Sequence, residues 1–175
     1  MPVRLATPDD AQAIAEVHVA AWQAAYADLM PQSVLDALSV EQRLKSWQRT
    51  LSAPSRFLTA VATDRSASVV GFVLYGQEQD ANRIEPSGEL FAMNLVPQVW
   101  RCGRGRQMCD WVLAHARDQA WQSVALWVLC ENARARAFYE SMGFVSDGVE
   151  KADTVLIGAS LNELRYRKWL PLPAA

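Results

Sequence analysis

The chain has 175 residues, 51% hydrophobic and 21% charged, with a formal net charge of -2. That is the make-up of an ordinary soluble globular protein, long enough for one domain (residues 1–175) with a real core. A mildly acidic whole excludes a general nucleic-acid binder, which needs a basic face.

The N-terminus, M-P-V-R-L-A-T-P-D-D, has no apolar leader segment, and no apolar run is long enough to cross a bilayer. Neither membrane nor nucleic acid is therefore expected as a partner. Cys102, Cys109 and Cys130 form no C-x-x-C pair. No zinc or other metal site and no disulfide framework is suggested, which fits a reducing, cytoplasmic setting.

Val3 to Ala6 reads as a first strand. Thr7-Pro8-Asp9-Asp10 follows as a helix start, with a capping hydroxyl, a proline and acids in the first turn. The helix has an apolar face at Ile14, Val17, Ala21 and Ala25. Beside it runs a second stripe, His18, Trp22 and Tyr26, four residues apart. This stripe is either more core or the lining of a substrate mouth. Pro31 breaks the pattern, and Ser33 to Leu38 is a short helix. Ser39-Val40-Glu41-Gln42 is a capping box for a helix whose one side carries Val40, Leu44, Trp47 and Leu51.

Ala53-Pro54-Ser55 is a turn. Phe57 to Ala62 and Val69 to Tyr75 are strands joined by a polar turn at Asp64 to Ser68. Gln77 to Ser87, with Asp80, Asn82 and Pro86, reads as a loop. An apolar strand, Leu90 to Val96, then stops at Pro97. A helix begins near Gly105, with Met108, Cys109, Val112, Leu113, Ala116 and Ala120 at helical spacing. V-A-L-W-V-L-C (Val124 to Cys130) reads as a strand buried on both faces. Asn132 to Met142 is a helix with Ala135, Phe138 and Met142 inward, closed by Gly143 as a left-handed cap. Phe144 to Glu150 and Leu161 to Trp169 form a last hairpin. The sum is an α/β (α+β) domain: a mixed sheet of six to seven strands with helices on both faces.

The chemistry points to E-L-F-A-M-N-L-V-P-Q-V-W-R-C-G-R-G-R, Glu89 to Arg106. A strand feeding a glycine-containing loop into a helix start leaves first-turn N–H groups free, with the helix dipole behind them. Gly103 and Gly105 allow close approach of a phosphate. Arg101, Arg104 and Arg106 add charge. A dinucleotide fingerprint would need a small residue where Met108 stands, and a P-loop would need G-K-[ST]. What remains is a compact G-x-G suited to one pyrophosphate.

This motif, the second apolar strand, and E-N-A-R-A-R-A-F-Y-E-S-M-G-F together closely resemble the GCN5-related N-acetyltransferase family. The strong match covers Glu89 to Phe144. A weaker one extends to R-L-A-T-P-D-D and to E-L-R-Y-R-K-W. The family's loop usually reads [QR]-x-x-G-x-[GA]. Here Trp100 takes the first place, Arg101 comes one residue late, and Cys102 stands where many relatives have glycine.

The resemblance implies acetyl-CoA as acyl donor and an amine as acceptor. It places the donor's pyrophosphate on the amides of Arg101, Cys102, Gly103, Arg104, Gly105 and Arg106. Its pantetheine would lie between two splayed parallel strands, and its carbonyl against a main-chain N–H near Met93, Asn94 or Leu95. Asn132 matches the family's cofactor-holding Asn, and Tyr139 its proton donor to the leaving thiolate. Glu89 is the candidate base acting through water, since some relatives place a Glu there; Glu131 and Asp28 are weaker choices. The alternative for Glu89 is an exposed strand end, and for Tyr139 a core aromatic.

The acceptor would meet the N-terminal helices, where Trp22 and Tyr26 are the candidate substrate-binding residues. Cys102 invites a nucleophile reading, but His18 and His115 are the only histidines and no Cys-His-Asn arrangement supports it. A non-catalytic acyl-CoA sensor or interaction module would keep the loop and lack a working acceptor side. The Leu161 to Trp169 strand could pair with a second copy as a homodimer.

Overall fold

The computed structural model describes residues 2–52, 55–81, 83–84, 86–153 and 161–171. Ala53 and Pro54 of the expected turn, and Asn82 of the polar loop, lie outside them. Contacts group the chain into two compact units. One comprises Met1–Tyr75 and Ala92–Trp111, the other Gly76–Phe91 and Val112–Ala175.

Seven strands follow one hydrogen-bonded order, β1-β2-β3-β4-β5-β7-β6. They are β1 (Val3–Leu5), β2 (Phe57–Thr63), β3 (Val69–Gln77), β4 (Ser87–Leu95), β5 (Ser123–Leu129), β6 (Val145–Asp153) and β7 (Leu161–Trp169). The helices are α1 (Ala11–Ala25), α2 (Gln32–Asp36), α3 (Val40–Ser52), α4 (Arg104–Asp118) and α5 (Ala133–Ser141). β4 begins at Ser87, three residues before its apolar run. The expected loop from Gln77 to Ser87 is shorter by one residue at each end, since Gln77 closes β3 and Ser87 opens β4, and Gly88 and Glu89 are buried in the sheet.

In the first unit α1 and α3 pack on β2 and β3. Ile14, Ala15, Val17, Trp47, Val61 and Phe72 form one cluster, with Val40, Leu44 and Leu51 against it. These are the positions that the helical and strand periods select. At the helix entry the Asp10 carboxylate accepts from the Thr7 N–H (2.7 Å) and from both terminal nitrogens of Arg4 (2.7 and 2.8 Å). The Ser39 hydroxyl caps α3 through the Gln42 N–H at 3.3 Å.

In the second unit β5 pairs antiparallel with β7 over its full length, and β7 pairs with β6, which carries an irregularity between Ser146 and Glu150. A buried ion cluster stands among these strands. Arg167 grips the Glu78 carboxylate with two nitrogens (2.9 and 2.6 Å) and donates to the Ser123 hydroxyl at 2.9 Å. Arg165 bridges Asp80 (2.6 Å) and Asp147 (2.7 Å). Glu78 and Arg167 are 89 positions apart in the chain. Burial is tolerable for both because each supplies the other's counter-charge and hydrogen bonds.

The parallel ladder between β4 and β5 covers only Ser87–Leu90 against Ser123–Leu126. β4 is buried over those four residues and half-buried from Phe91 to Leu95. On its other side β4 meets β3 through Glu78 N–H to Ser87 O at one end and Val96 N–H to Val70 O at the other.

Candidate active site

The first unit contributes a loop with unspent donors. A turn at Pro97–Val99 leads to Trp100, whose indole N–H bonds the Leu95 carbonyl at 2.8 Å. That bond fastens the loop to the end of β4. Arg101 and Gly103 both take left-handed backbone angles (φ 58° and 77°). Only glycine adopts such angles without a steric cost, so Arg101 holds a strained position. The chain enters α4 at Arg104, one residue before the expected start.

The first helical bond runs from Gln107 N–H to the Gly103 carbonyl at 3.1 Å. Among the described residues no acceptor meets the amides of Gly103, Arg104, Gly105 or Arg106. Arg101 and Arg106 are exposed and carry no ion pair there. Arg104 donates one nitrogen to Gln107 (2.9 Å), while its Nε is buried without a partner. Cys102 is exposed within the same loop. Free amides, free guanidinium groups and an orphaned buried N–H suit an anion such as a pyrophosphate.

The second unit contributes α5, closed at both ends. Asn132 caps it by accepting the Ala135 N–H on its side-chain oxygen at 3.0 Å. Two bonds finish the other end, Gly143 N–H to Glu140 O (2.9 Å) and Phe144 N–H to Tyr139 O (3.0 Å), with Gly143 at φ 82°. This is a Schellman motif, and its usual apolar contact is present between the Tyr139 and Phe144 rings, 5.8 Å apart. Arg136 and Glu140 both bond the Tyr166 hydroxyl (3.1 and 2.8 Å), tying the helix to β7. Tyr139 is thus fixed in place and buried, while Phe138 is only half-buried. The expected inward set is corrected here. The helix turns Tyr139 and Met142 inward and leaves Ala135 and Phe138 at the margin, because the cap pulls the last turn onto Phe144.

Glu89 is not an exposed strand end. It is 7% exposed and accepts one backbone N–H, from Gln79, at 3.1 Å. Burial raises its pKa above 4.5, and the charges of Glu78 and Asp80 add to the rise; the Gln79 bond and Lys151 oppose it. Glu78 nearby is gripped by the Arg167 guanidinium, whereas among the described residues no guanidinium pairs with Glu89.

The stripe on α1 belongs to the first unit's aromatic group. His18 lies 5.5 Å from the Trp22 ring and 5.5 Å from Phe72, and Trp22 lies 5.0 Å from Tyr26. The Trp47 indole donates to His18 Nδ1 at 3.3 Å. Burial, and secondarily the charge of Arg43, drives the imidazole pKa down to about 3, so His18 is neutral at physiological pH. Trp22 and Tyr26 remain half-buried. Of the expected residues, the first unit brings together Trp22, Tyr26, Met93, Asn94, Leu95 and the loop from Arg101 to Arg106. The second holds Glu89, Asn132 and Tyr139. Glu89 and Met93 share strand β4.

A model of the acetyltransferase (GNAT) family matches residues 13–144. The chain belongs to the GNAT family. It is therefore an acetyltransferase, and GNAT enzymes use acetyl-CoA as donor. A Bacillus subtilis protein, the uncharacterized N-acetyltransferase YuaI, is 29% identical over 167 residues, covering 93% of this chain and 89% of its own. The mycothiol acetyltransferase of Kocuria rhizophila is 30% identical over 91 residues, 52% of this chain but only 30% of its own length. Among solved structures, the PaiA N-acetyltransferase of Thermoplasma acidophilum in complex with coenzyme A superposes with a TM-score of 0.69 at 19% identity. That match covers 97% of this chain and all of the other. The match to PaiA establishes a shared GNAT fold.

Within the GNAT frame Trp100 and Cys102 are this chain's departures. Trp100 serves the loop's anchorage, a task visible only once its indole is seen on Leu95. Two features escaped the sequence. The Glu78–Arg167 cluster joins positions too distant for any local pattern. Arg43 on α3 carries no spacing or motif that singles it out in the sequence.

Proposed function

We propose that this GNAT domain, residues 1–175, transfers acetyl from acetyl-CoA directly to a primary amine, on a small molecule, a peptide or protein N-terminus, or a lysine. The observation that carries the proposal is the row of unspent amides from Gly103 to Arg106 beside free guanidinium groups, in a chain of acetyltransferase descent. Those amides, with Arg101, hold the donor's pyrophosphate, while the Cys102 N–H turns back to the Val99 carbonyl at 3.4 Å and the residue lines the same loop. Backbone N–H groups among Met93, Asn94 and Leu95, at the end of β4 beyond its ladder with β5, stabilise the oxyanion that develops as the amine attacks. The side-chain amide of Asn132 keeps two hydrogens after capping α5 and offers them to the donor.

An aliphatic ammonium with a pKa near ~10.4 is almost wholly protonated at neutral pH. Glu89 removes that proton through a water, and its raised pKa makes it a better base than a surface carboxylate. Tyr139, held rigid by the cap, gives its phenolic proton to the leaving sulfur. Trp22 and Tyr26 line the acceptor's approach. The enzyme works in the cytoplasm, takes no nucleic acid or membrane as partner, and forms a homodimer; β7 already pairs with β5 on one side and β6 on the other, so the second copy does not add to its edge as the sequence had suggested. No described helix is long and apolar enough to cross a membrane.

A thiol-release assay with a panel of amines tests this. Steady CoA production is expected, whereas stoichiometric binding without turnover would establish an acyl-CoA sensor instead. Glu89→Gln should erase an acid limb of the kcat/KM profile that lies above pH 4.5. The sign for stability is opposite. A buried carboxyl with a raised folded pKa loses stability as pH rises from its unfolded value through the folded one, so the neutral Gln variant should melt no lower than the parent at pH 7. Tyr139→Phe should lower kcat and leave acetyl-CoA affinity intact. An unchanged kcat there assigns the proton to another donor.

A further inference from the structure

Arg43 on α3 has a guanidinium 5.4 Å from the centre of the Trp22 ring. The side chain is half-buried, and burial lowers its pKa. Stacking uses only the flat face of a guanidinium and leaves its five N–H donors pointing outward in the plane. Among the described residues none of those donors meets a carboxylate, carbonyl or hydroxyl. The acids of the neighbouring helices are committed elsewhere. Glu16 accepts from Gln12 (2.6 Å), Asp36 from Gln32 (2.8 Å), and Glu41 from Lys45 (2.7 Å).

His18, beside Trp22, is neutral and has its Nδ1 filled by Trp47. The group therefore carries one uncompensated positive charge on an aromatic floor. That floor leads toward the reacting strand: Trp47 and Phe72 stand 4.8 Å apart in T-shaped contact, and Ala92 and Val96 of the β4 region pack against their cluster. Those two residues flank Met93 to Leu95, where the oxyanion donors are assigned.

We propose that Arg43, laid on Trp22, is the specificity determinant of the acceptor site and binds a carboxylate of the acceptor, making the substrate class small amines that carry a carboxylate, such as free amino acids. This rests on the transferase reading above and narrows it. A planar guanidinium matches a carboxylate with two parallel hydrogen bonds, while Trp22 and Tyr26 bracket the apolar part of the same molecule.

The test is a thiol-release assay on L-amino acids, each paired with its own carboxamide. The carboxamide has the less basic, more readily neutral amine, so chemistry alone favours it. The wild-type enzyme is expected to prefer the carboxylate members by roughly tenfold or more in kcat/KM, as a charge-assisted pair would give. Arg43→Gln should remove that preference through KM, Arg43→Lys should restore part of it, and acetyl-CoA affinity by calorimetry should not change in either. Carboxamides turned over as well as the acids, or a preference that survives Arg43→Gln, overturns the proposal and leaves the transferase standing. Weakened acetyl-CoA binding in Arg43→Gln reassigns the guanidinium to the donor and overturns it too. Absence of CoA release with every amine brings down the transferase reading itself, and this proposal with it.

Discussion

The loop from Pro97 to Arg106 and the helix from Ala133 to Ser141 both come from motif-rich sequence, yet they treat their polar groups in opposite ways. In the loop, four successive amides, two guanidinium groups and the Arg104 Nε have no partner among the described residues. In the helix, Asn132 closes one end, a Schellman pair closes the other, and the Tyr166 hydroxyl accepts from Arg136 and donates to Glu140. Buried or oriented polar groups are normally satisfied, so the ones left over mark where a ligand is expected. The loop is built to receive, and the helix is built to hold one phenol still.

Substitutions at three positions probe that contrast. The largest effect is expected from Gly105→Glu in the loop. A carboxylate at a helix N-terminus favours the helix, so the melting temperature should hold while calorimetry loses all acetyl-CoA binding. Retained binding would mean the free amides serve something else. Next is Asn132, where the two roles meet in one side chain. Asn132→Ala removes the cap and should cost about 0.5–2 kcal/mol of stability by urea denaturation. Asn132→Asp keeps a capping oxygen and should preserve stability while weakening acetyl-CoA, because the donor hydrogens are gone. Equal affinity in the Asp variant would make the residue purely a cap. The smallest effect belongs to Trp100→Phe. It deletes one hydrogen bond to Leu95, about 1 kcal/mol, and should loosen the loop with only a few-fold loss of donor affinity.

The same contrast explains what could be read in advance. α5 and its glycine stop, the capped α3 and the G-x-G loop are local patterns, written in neighbouring residues. β7 from Leu161 to Trp169 was legible for the same reason, as one extended run. Tyr139 and Phe138 exchanged places because a single turn of helix decides between them, and the decision is made by Phe144 packing back. Glu89 was open between base and exposed strand end because its burial depends on the segment just after β3, ten residues earlier, where Gln79 supplies its hydrogen bond. Arg43 was passed over because no spacing distinguishes a paired surface arginine from an unpaired one. Only the side-chain partners do.

The order β5-β7-β6 also has a meaning in time. β6 is synthesised before β7 but has no strand to join until β7 has taken the place between it and β5. Arg167, which neutralises the buried Glu78, arrives with that same strand. Until then Glu78 lacks its counter-charge, and the β5 edge and the β6 segment stay unpaired. The second unit therefore closes late and all at once, through long-range pairing of the slow kind. Its charged interior acts as a latch that cannot be thrown before the last strand is in place.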